Sequence, residues 1–371
     1  MYESIRDMGG LTVTHRKQSF EIGKLGRRRG FVQSIGLLAA GFGLCGSPAV
    51  SARLRPPFLI STFNQMTLAV SDPAATLDWY QGLFGMPVAA RQGNTVFLQV
   101  GDGPQSIAIS GDVTDNPRIT QFCLGVENFD YQRAVRILAE NGVEEVTSSG
   151  FSRSGNRMRA PGNGGLADDG VYLVFRDPDG ILIQLQDSSY CGGAGVLGNQ
   201  CQGTLEPAPT EGLFTLGEFN HFTLFVSDQR HSIQFYQSLF DVPIDTYQGA
   251  LPILRVGAGK QFLALSQQSS PSRIHHVSLS VGDFDVDRIF SALNEYGLKI
   301  LGEASGATGP LQAYVTMRGP NRGGAVGGTP EVYLTDPDGI LLQLQDSTYC
   351  GGNGFLGDQC GTVEQPTGLR I

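Results

Sequence analysis

The stretch FNHFTLFVSD at residues 219–228 decides the fold of this chain, because it repeats FNQMTLAVSD at residues 63–72. The two copies are 219 − 63 = 156 residues apart. A second pair, DPDGILIQ at residues 177–184 and DPDGILLQ at residues 336–343, is 336 − 177 = 159 residues apart. Two long matches at nearly the same spacing indicate an internal duplication.

The duplication predicts two domains. We expect the first at residues 60–201 and the second at residues 218–360, with a linker rich in Pro, Gly and Thr at residues 202–217. A chain of 371 residues is long enough for two domains, and an apolar content of 40% allows each to bury a core. The 51 glycines predict many turns and few long helices.

Each repeat divides again into two similar modules. In the second repeat, residues 219–227 alternate as a strand, and Asp228 precedes apolar residues with helical spacing. Three short strands follow, and the pattern restarts at His276. The chain is therefore predicted to be α+β, with four βαβββ modules.

The module order resembles that of the vicinal-oxygen-chelate superfamily, which includes glyoxalases, bleomycin-resistance proteins and extradiol dioxygenases. The resemblance rests on Val-Ser-Asp after the first strand, a helix with Phe and Tyr, and Asp-Pro-Asp-Gly before the last strand. It covers residues 60–190 and 216–349. It implies two cup-shaped mixed-sheet domains, whose metal ligands lie on the first and last strands and face into the cup.

Histidine distinguishes the two repeats. Of the five histidines, four lie in the second repeat: His221, His231, His275 and His276. In the first repeat, Gln65 occupies the position of His221 and Gln121 that of His276. A feature present in only one repeat is a better candidate for function than one present in both, so we expect the site in the second repeat.

Strand periodicity places the candidate residues on shared faces. The three sets are His221, Thr223 and Phe225; His276, Ser278 and Ser280; and Gln343 and Gln345. If the sheet curls into a cup, these faces converge. The alternative is the solvated face of a half-buried antiparallel sheet.

The resemblance also implies a ligand set. His221 and His276 fall on the two histidine ligands of extradiol dioxygenases, and Gln343 falls on their glutamate ligand. Tyr333 falls on the active-site tyrosine, which helps orient and deprotonate the catechol. A divalent metal, Fe(II) or Mn(II), is therefore expected on His221, His276 and Gln343, with Tyr333 as the catalytic residue.

Other polar residues are weaker candidates for contact with the substrate or for support of the metal ligands. Thr223 and Ser278 could contact the substrate or orient the imidazoles, and Arg318 could hold a substrate anion at the mouth of the cup. The alternative for Arg318, as for Arg159 in the first repeat, is a solvated loop arginine. Glu331 could replace the missing carboxylate or act as a base, or it could be a surface charge. His231 is expected to be exposed, and His275 to point away from His276.

Three functions are consistent with these residues. The first is a metal-dependent oxygenase of extradiol type that acts on a small aromatic diol or enediol. The second is a glyoxalase-type lyase or isomerase, and the third is a non-enzymatic small-molecule-binding protein of the bleomycin-resistance kind. Gln343 is neutral and the additional catalytic histidines of the extradiol enzymes have no counterpart here, so ring cleavage by their usual route is in doubt.

The N-terminus predicts export. Residues 28–33 resemble a twin-arginine motif, an apolar run follows at residues 35–44, and Ala52 suits cleavage by signal peptidase. The alternative, a membrane anchor, is disfavoured because the run is short and rich in Gly. We expect a periplasmic or secreted protein that does not contact the membrane after removal of residues 1–52.

Cysteine spacing agrees with an oxidising compartment. Cys191 and Cys201, like Cys350 and Cys360, are separated by nine residues that include glycines, which predicts two disulfides, with metal thiolates as the alternative. Cys123 is expected to be a buried thiol.

The net charge is −9, and it becomes −9 − 4 = −13 without the N-terminal segment, whose seven Lys/Arg and three Asp/Glu sum to +4. Such acidity disfavours nucleic acid and anionic membranes, so the expected partner is a small-molecule substrate.

Overall fold

The computed structural model describes residues 56–143, 156–158, 171–201 and 206–361. The predicted signal segment and Arg159 lie outside these residues. In the first repeat the elements are β1 Ile60–Val70, α1 Pro73–Phe84, β2 Val88–Gln92, β3 Thr95–Gln99, β4 Ser106–Val113, β5 Arg118–Val126, α2 Tyr131–Glu140, β6 Asn156–Met158, β7 Val171–Arg176 and β8 Leu182–Asp187.

Among the described residues, the second repeat has the same order of elements as the first and one further strand, β14 Lys299–Glu303. Its elements are β9 Leu216–Val226, α3 Gln229–Leu239, β10 Ile244–Gln248, β11 Leu251–Arg255, β12 Phe262–Gln267, β13 Arg273–Val281, α4 Val286–Glu295, β14 Lys299–Glu303, β15 Gln312–Arg318, β16 Thr329–Thr335 and β17 Leu341–Asp346. A short 3₁₀ helix spans Pro320–Arg322. The last module therefore has four strands after its helix rather than the predicted three, because β14 pairs in parallel with β15 at the sheet edge.

Each repeat forms one mixed sheet, and the predicted α+β class is confirmed. The strand orders are β2-β3-β4-β1-β5-β8-β7-β6 and β10-β11-β12-β9-β13-β17-β16-β15-β14. In both sheets, the first strands of the two modules lie side by side and antiparallel at the centre. The last strand of each module pairs in parallel with the first, which brings β17 next to β13. This topology places β9, β13 and β17 together.

The helices begin where the sequence predicted. Asp228 caps α3, since its carboxylate accepts a 3.0 Å hydrogen bond from the backbone N–H of His231. Asp72 caps α1 in the same way, through the N–H groups of Ala74 and Ala75. An aspartate at this position satisfies backbone donors that have no partner within the helix.

The apolar faces of the two sheets share one hydrophobic core. Phe222, on the face opposite to His221, stacks on Phe122 with a centroid distance of 5.2 Å. Its ring also lies 4.8 Å from that of Phe63. Because all three rings are fully buried, the two repeats are held together by contacts of core quality and belong to one compact unit.

The cysteines lie as the spacing predicted. Cys191 and Cys201 are at disulfide distance with Cα atoms 6.2 Å apart, and Cys350 and Cys360 with Cα atoms 6.1 Å apart. Cys123 is free and buried. Among the described residues, no helix combines the length and the hydrophobicity needed to cross a bilayer.

Candidate metal centre

The candidate residues line up across five adjacent strands of the second sheet. Backbone register places Phe262 beside His221 and His221 beside Ser278. It continues from Ser278 to Gln343 and from Gln343 to Tyr333. Residues paired in register share a face of the sheet, so this row assembles side chains that are far apart in the sequence. His276 joins the same face one pair further along, opposite Thr223.

The row is buried. The exposed fraction is 3% for His221, 5% for His276 and 1% for Gln343. Thr223 and Ser278 are buried as well. The alternative of a solvated sheet face is therefore wrong, and the polar face lies inside the protein, where unpaired polar groups are costly.

Both imidazoles are neutral at physiological pH. Burial lowers the pKa of His221 to about 3, and the neighbouring amide of Gln343 opposes this shift to a smaller extent. Burial also lowers the pKa of His276 far below its usual value, and the neighbouring His275 and His221 add to the effect. The two rings lie edge to face with centroids 5.5 Å apart. Neutral imidazole is the form of histidine that binds metals.

Four buried polar atoms on this face have no hydrogen-bond partner among the described residues. They are Nε2 of His276, Oε1 of Gln343, Oγ of Ser278 and Nε2 of Gln345. The described part of the chain has no cluster of three or more His, Cys, Asp or Glu side chains that could hold a metal. The candidate set is therefore two imidazoles and one amide. The free nitrogen and the free amide oxygen are of the kind that a divalent cation accepts, so these residues fit a metal ion.

Tyr333 lies against the histidine pair. Its ring is perpendicular to that of His276 at a centroid distance of 5.4 Å, and it stacks on Tyr314 at 5.0 Å. Its hydroxyl lies 3.4 Å from Oε2 of Glu331. Burial and the charge of Glu331 raise the pKa of Tyr333 well above 10.0. The phenol therefore stays protonated, and its single hydrogen is donated to Glu331.

The alternatives of exposed charges at positions 318 and 331 are wrong. Arg318 lies on β15, is fully buried, and donates from Nε to Oε1 of Glu331 at 2.8 Å. Glu331 is 4% exposed and also accepts a 3.1 Å hydrogen bond from the Tyr349 hydroxyl. Because the guanidinium is already paired with Glu331, Arg318 could affect a substrate anion only indirectly, through its interaction with Glu331.

The prediction for His275 is also wrong. Strict alternation would turn its side chain away from His276, yet the two Nδ1 atoms are 2.8 Å apart. The cause is a β-bulge in β13, which breaks the alternation between Ile274 and His276. His231 is exposed, as predicted.

Asn220 was not identified by the sequence analysis, although its Oδ1 lies 2.8 Å from Nδ1 of His221. The sequence feature that could have identified Asn220 is its position directly before His221.

The first repeat has amides where the second has imidazoles. Gln121 donates to Gln184 at 2.8 Å, and Gln65 donates to Thr67 at 2.9 Å. Amide nitrogens donate hydrogen bonds and do not bind cations. The duplication has therefore kept the scaffold in both repeats and also the glutamine of the candidate set, as Gln184 and Gln343, whereas the two candidate histidines occur in the second repeat alone.

Residues 62–185 and 218–344, well over half of the chain, match the Glyoxalase/Bleomycin resistance protein/Dioxygenase superfamily. The chain belongs to this superfamily. The two matched regions lie inside the two predicted domains, and His221, His276 and Gln343 fall within the second.

Solved structures of superfamily members share the fold at low identity. The Mn(II)-bound glyoxalase from Novosphingobium aromaticivorans has a TM-score of 0.51 and 14% identity, over 77% of this chain and 82% of that one. A catechol 2,3-dioxygenase has a TM-score of 0.52 and 14% identity, over 84% and 93%. The homoprotocatechuate 2,3-dioxygenase from Brevibacterium fuscum, crystallised with 3,4-dihydroxyphenylacetate, has a TM-score of 0.52 and 15% identity, over 79% and 83%. At these identities the likeness establishes the fold alone.

Proposed function

We propose that the protein is an exported, metal-dependent oxygenase of extradiol type that acts on a small aromatic diol or enediol. One observation supports this proposal above the others. Nε2 of His276 and Oε1 of Gln343 are buried close to His221, and neither atom has a hydrogen-bond partner among the described residues. An unpaired buried nitrogen and oxygen cost free energy unless a ligand satisfies them. A cation held by His221, His276 and Gln343 would satisfy both.

The metal would be Fe(II) or Mn(II), since two imidazoles and one amide oxygen suit such ions and leave positions open. A bound metal of this kind supplies Lewis acidity and a place for two neighbouring substrate oxygens. The chain itself supplies orientation. Tyr333, whose hydroxyl donates to Glu331 in the absence of substrate, would instead donate its single hydrogen to a substrate oxygen.

Aromatic side chains border the proposed site. Phe262 stacks on His221 with centroids 4.3 Å apart and planes 10° apart. Tyr349 lies 5.8 Å from the same imidazole. These rings exclude water from one side of the histidine, and they offer an apolar surface that suits an aromatic substrate.

Gln343 supports a second candidate, a glyoxalase-type lyase or isomerase. A neutral amide leaves the full positive charge on a divalent metal, which favours stabilisation of an enolate over activation of oxygen. Binding of a small molecule without turnover is the third possibility. Oxygen uptake distinguishes the first function from the second, and metal content distinguishes both from the third.

The first experiment is metal analysis of the full chain purified without chelators, followed by oxygen-electrode assays with a series of catechols. One Fe or Mn per chain together with substrate-dependent oxygen uptake supports the oxygenase. One metal per chain without oxygen uptake favours the lyase or isomerase. A metal-free protein that does not bind added Fe(II) or Mn(II) rules out both enzymes and leaves the binding protein.

Export is proposed from the twin-arginine-like segment at residues 28–33 and from the cysteine pairs. Disulfides persist in oxidising compartments, so the pairs at disulfide distance agree with a periplasmic or secreted location. The test replaces Arg28 and Arg29 by lysine and compares the amount of protein in the periplasm. Unchanged export would contradict the twin-arginine assignment.

A further inference from the structure

Two β-bulges place an extra residue directly before each candidate histidine. On β9 the extra residue is Asn220, before His221, and on β13 it is His275, before His276. In a regular strand, consecutive side chains point to opposite faces. A bulge breaks this rule and redirects a side chain. Both extra residues therefore reach the imidazole that follows them.

The hydrogen bonds of Asn220 determine which nitrogen of His221 is protonated. The Nδ2 group of Asn220 donates a 2.7 Å hydrogen bond to the carbonyl oxygen of Tyr349, so Oδ1 is left as the acceptor. Nδ1 of His221 lies 2.8 Å from that oxygen and has to donate its hydrogen. Nε2 of a neutral His221 then keeps its lone pair.

His275 makes the corresponding contact with His276. The Nδ1 atoms of the two rings are 2.8 Å apart, so one ring donates and the other accepts. The ring of His275 is held by stacking on Phe225 at a centroid distance of 4.0 Å. If Nδ1 of His276 is the donor, Nε2 of His276 has a free lone pair, and this is the buried atom without a partner among the described residues.

The first repeat has the same bulges without these contacts. The extra residues there are Asn64 and Thr120. Asn64 donates to the Tyr190 carbonyl, as Asn220 does to Tyr349, yet its Oδ1 has no partner within the described part of the chain. Thr120 donates to the backbone oxygen of Thr67. The bulges thus belong to the scaffold, and the contacts to imidazole are specific to the second repeat.

We propose that Asn220 and His275 are positioning residues that hold His221 and His276 as their Nδ1–H tautomers, with both Nε2 atoms directed at one divalent cation. The inference rests on the proposed function, since that cation is the proposed metal. It also connects the site to the Cys350–Cys360 loop, because Tyr349 directly precedes the first cysteine. Groups that fix the orientation of ligating histidines commonly change metal affinity by about 10- to 100-fold.

The experiment compares N220A, N220D and H275A with the matched variants N64A and T120A, all in the full chain. Co(II) affinity is measured from the visible absorption of the bound ion. In the metal-free protein, the histidine tautomers are read from long-range ¹H–¹⁵N correlations. We expect N220A and H275A to weaken Co(II) binding by about 10- to 100-fold. N220D, which keeps an acceptor for His221, and both first-repeat variants should retain near wild-type affinity.

The two readouts separate this inference from the proposed function. If wild-type protein binds Co(II) and N220A and H275A bind it equally well with unchanged tautomers, the positioning roles are wrong and the metal site stands. If wild-type protein binds no Co(II) but N220A shifts His221 to the other tautomer, the positioning of His221 holds and the metal-dependent function fails. Equal losses in N64A and N220A would show a general packing effect and overturn the inference.

Discussion

The hydroxyl of Tyr236, in the second repeat, donates a 2.9 Å hydrogen bond to Oδ2 of Asp177, in the first. The equivalent contact runs from the first repeat to the second: the hydroxyl of Tyr80 donates a 3.4 Å hydrogen bond to Oδ2 of Asp336. Each aspartate opens an Asp-Pro-Asp-Gly turn and also accepts hydrogen bonds from the backbone of that turn. The turns therefore connect the repeats reciprocally, which explains why both copies retain them.

These buried aspartates predict that stability depends on pH. Burial raises the pKa of Asp177 to about 6 and that of Asp336 to about 7, from an ordinary value of 3.8. A carboxyl whose folded-state pKa is raised stabilises the fold fully below about pH 4 and loses this contribution as the pH rises through 6 to 7. Each site is expected to contribute a dependence on the order of 3–4 kcal/mol across this interval.

The variants D177N and D336N test this dependence. An amide can keep the acceptor for the turn and offer its NH₂ group to the tyrosine oxygen, so the contact survives without titrating. Urea unfolding between pH 4 and pH 8 should show each variant gaining stability relative to wild type as the pH rises. D112N, at an exposed position, serves as the control. A constant difference at all pH values would mean that these carboxyls do not titrate as expected.

Metal binding should depend on one repeat only. We expect H221A and H276A each to abolish binding of Mn(II) by the full chain, because each removes one of two imidazole ligands. Q65A, at the equivalent position of the first repeat, should bind Mn(II) as wild type does. Isothermal titration with Mn(II) measures all three variants. Loss of binding in all three would refute a site confined to the second repeat.

Substitution of Gln343 by glutamate should strengthen the site. A carboxylate is charged and binds a divalent cation more tightly than an amide does, so Q343E is expected to lower the Kd for Mn(II) by about tenfold or more. Q184E makes the same change in the first repeat. It should create no new site, because Gln65 and Gln121 stand there in place of the two histidines. If Q343E and wild type have equal affinity, Gln343 is not a ligand.

The sequence predicted the parts of this site that follow from regular geometry. Period-two alternation assigned His221 and Thr223 to one face, and the difference between the repeats singled out His221 and His276. Gln343 followed from the resemblance to extradiol dioxygenases. The prediction failed where the backbone departs from regularity. The bulge that turns His275 toward His276 has no local signature, because it arises from the way β13 pairs with β9, a strand that is distant in the sequence. It also failed for Glu331, since burial of a charge depends on a partner, and Arg318 reaches it only across the pair β15 and β16.

The pair formed by Arg318 and Glu331 yields the last prediction. Removal of one member leaves the other charged, buried and unpaired, which typically costs about 3–5 kcal/mol. E331A and R318A should therefore lower the free energy of unfolding strongly, while E331Q, which keeps hydrogen-bonding atoms for Arg318 and Tyr349, should cost less. The exposed ion pair of Arg91 with Glu206 provides the contrast, and E206A should leave the urea midpoint unchanged because solvent screens both charges. If E331A and E206A have the same urea midpoint, the buried pair is not an important contributor to the stability of the second repeat.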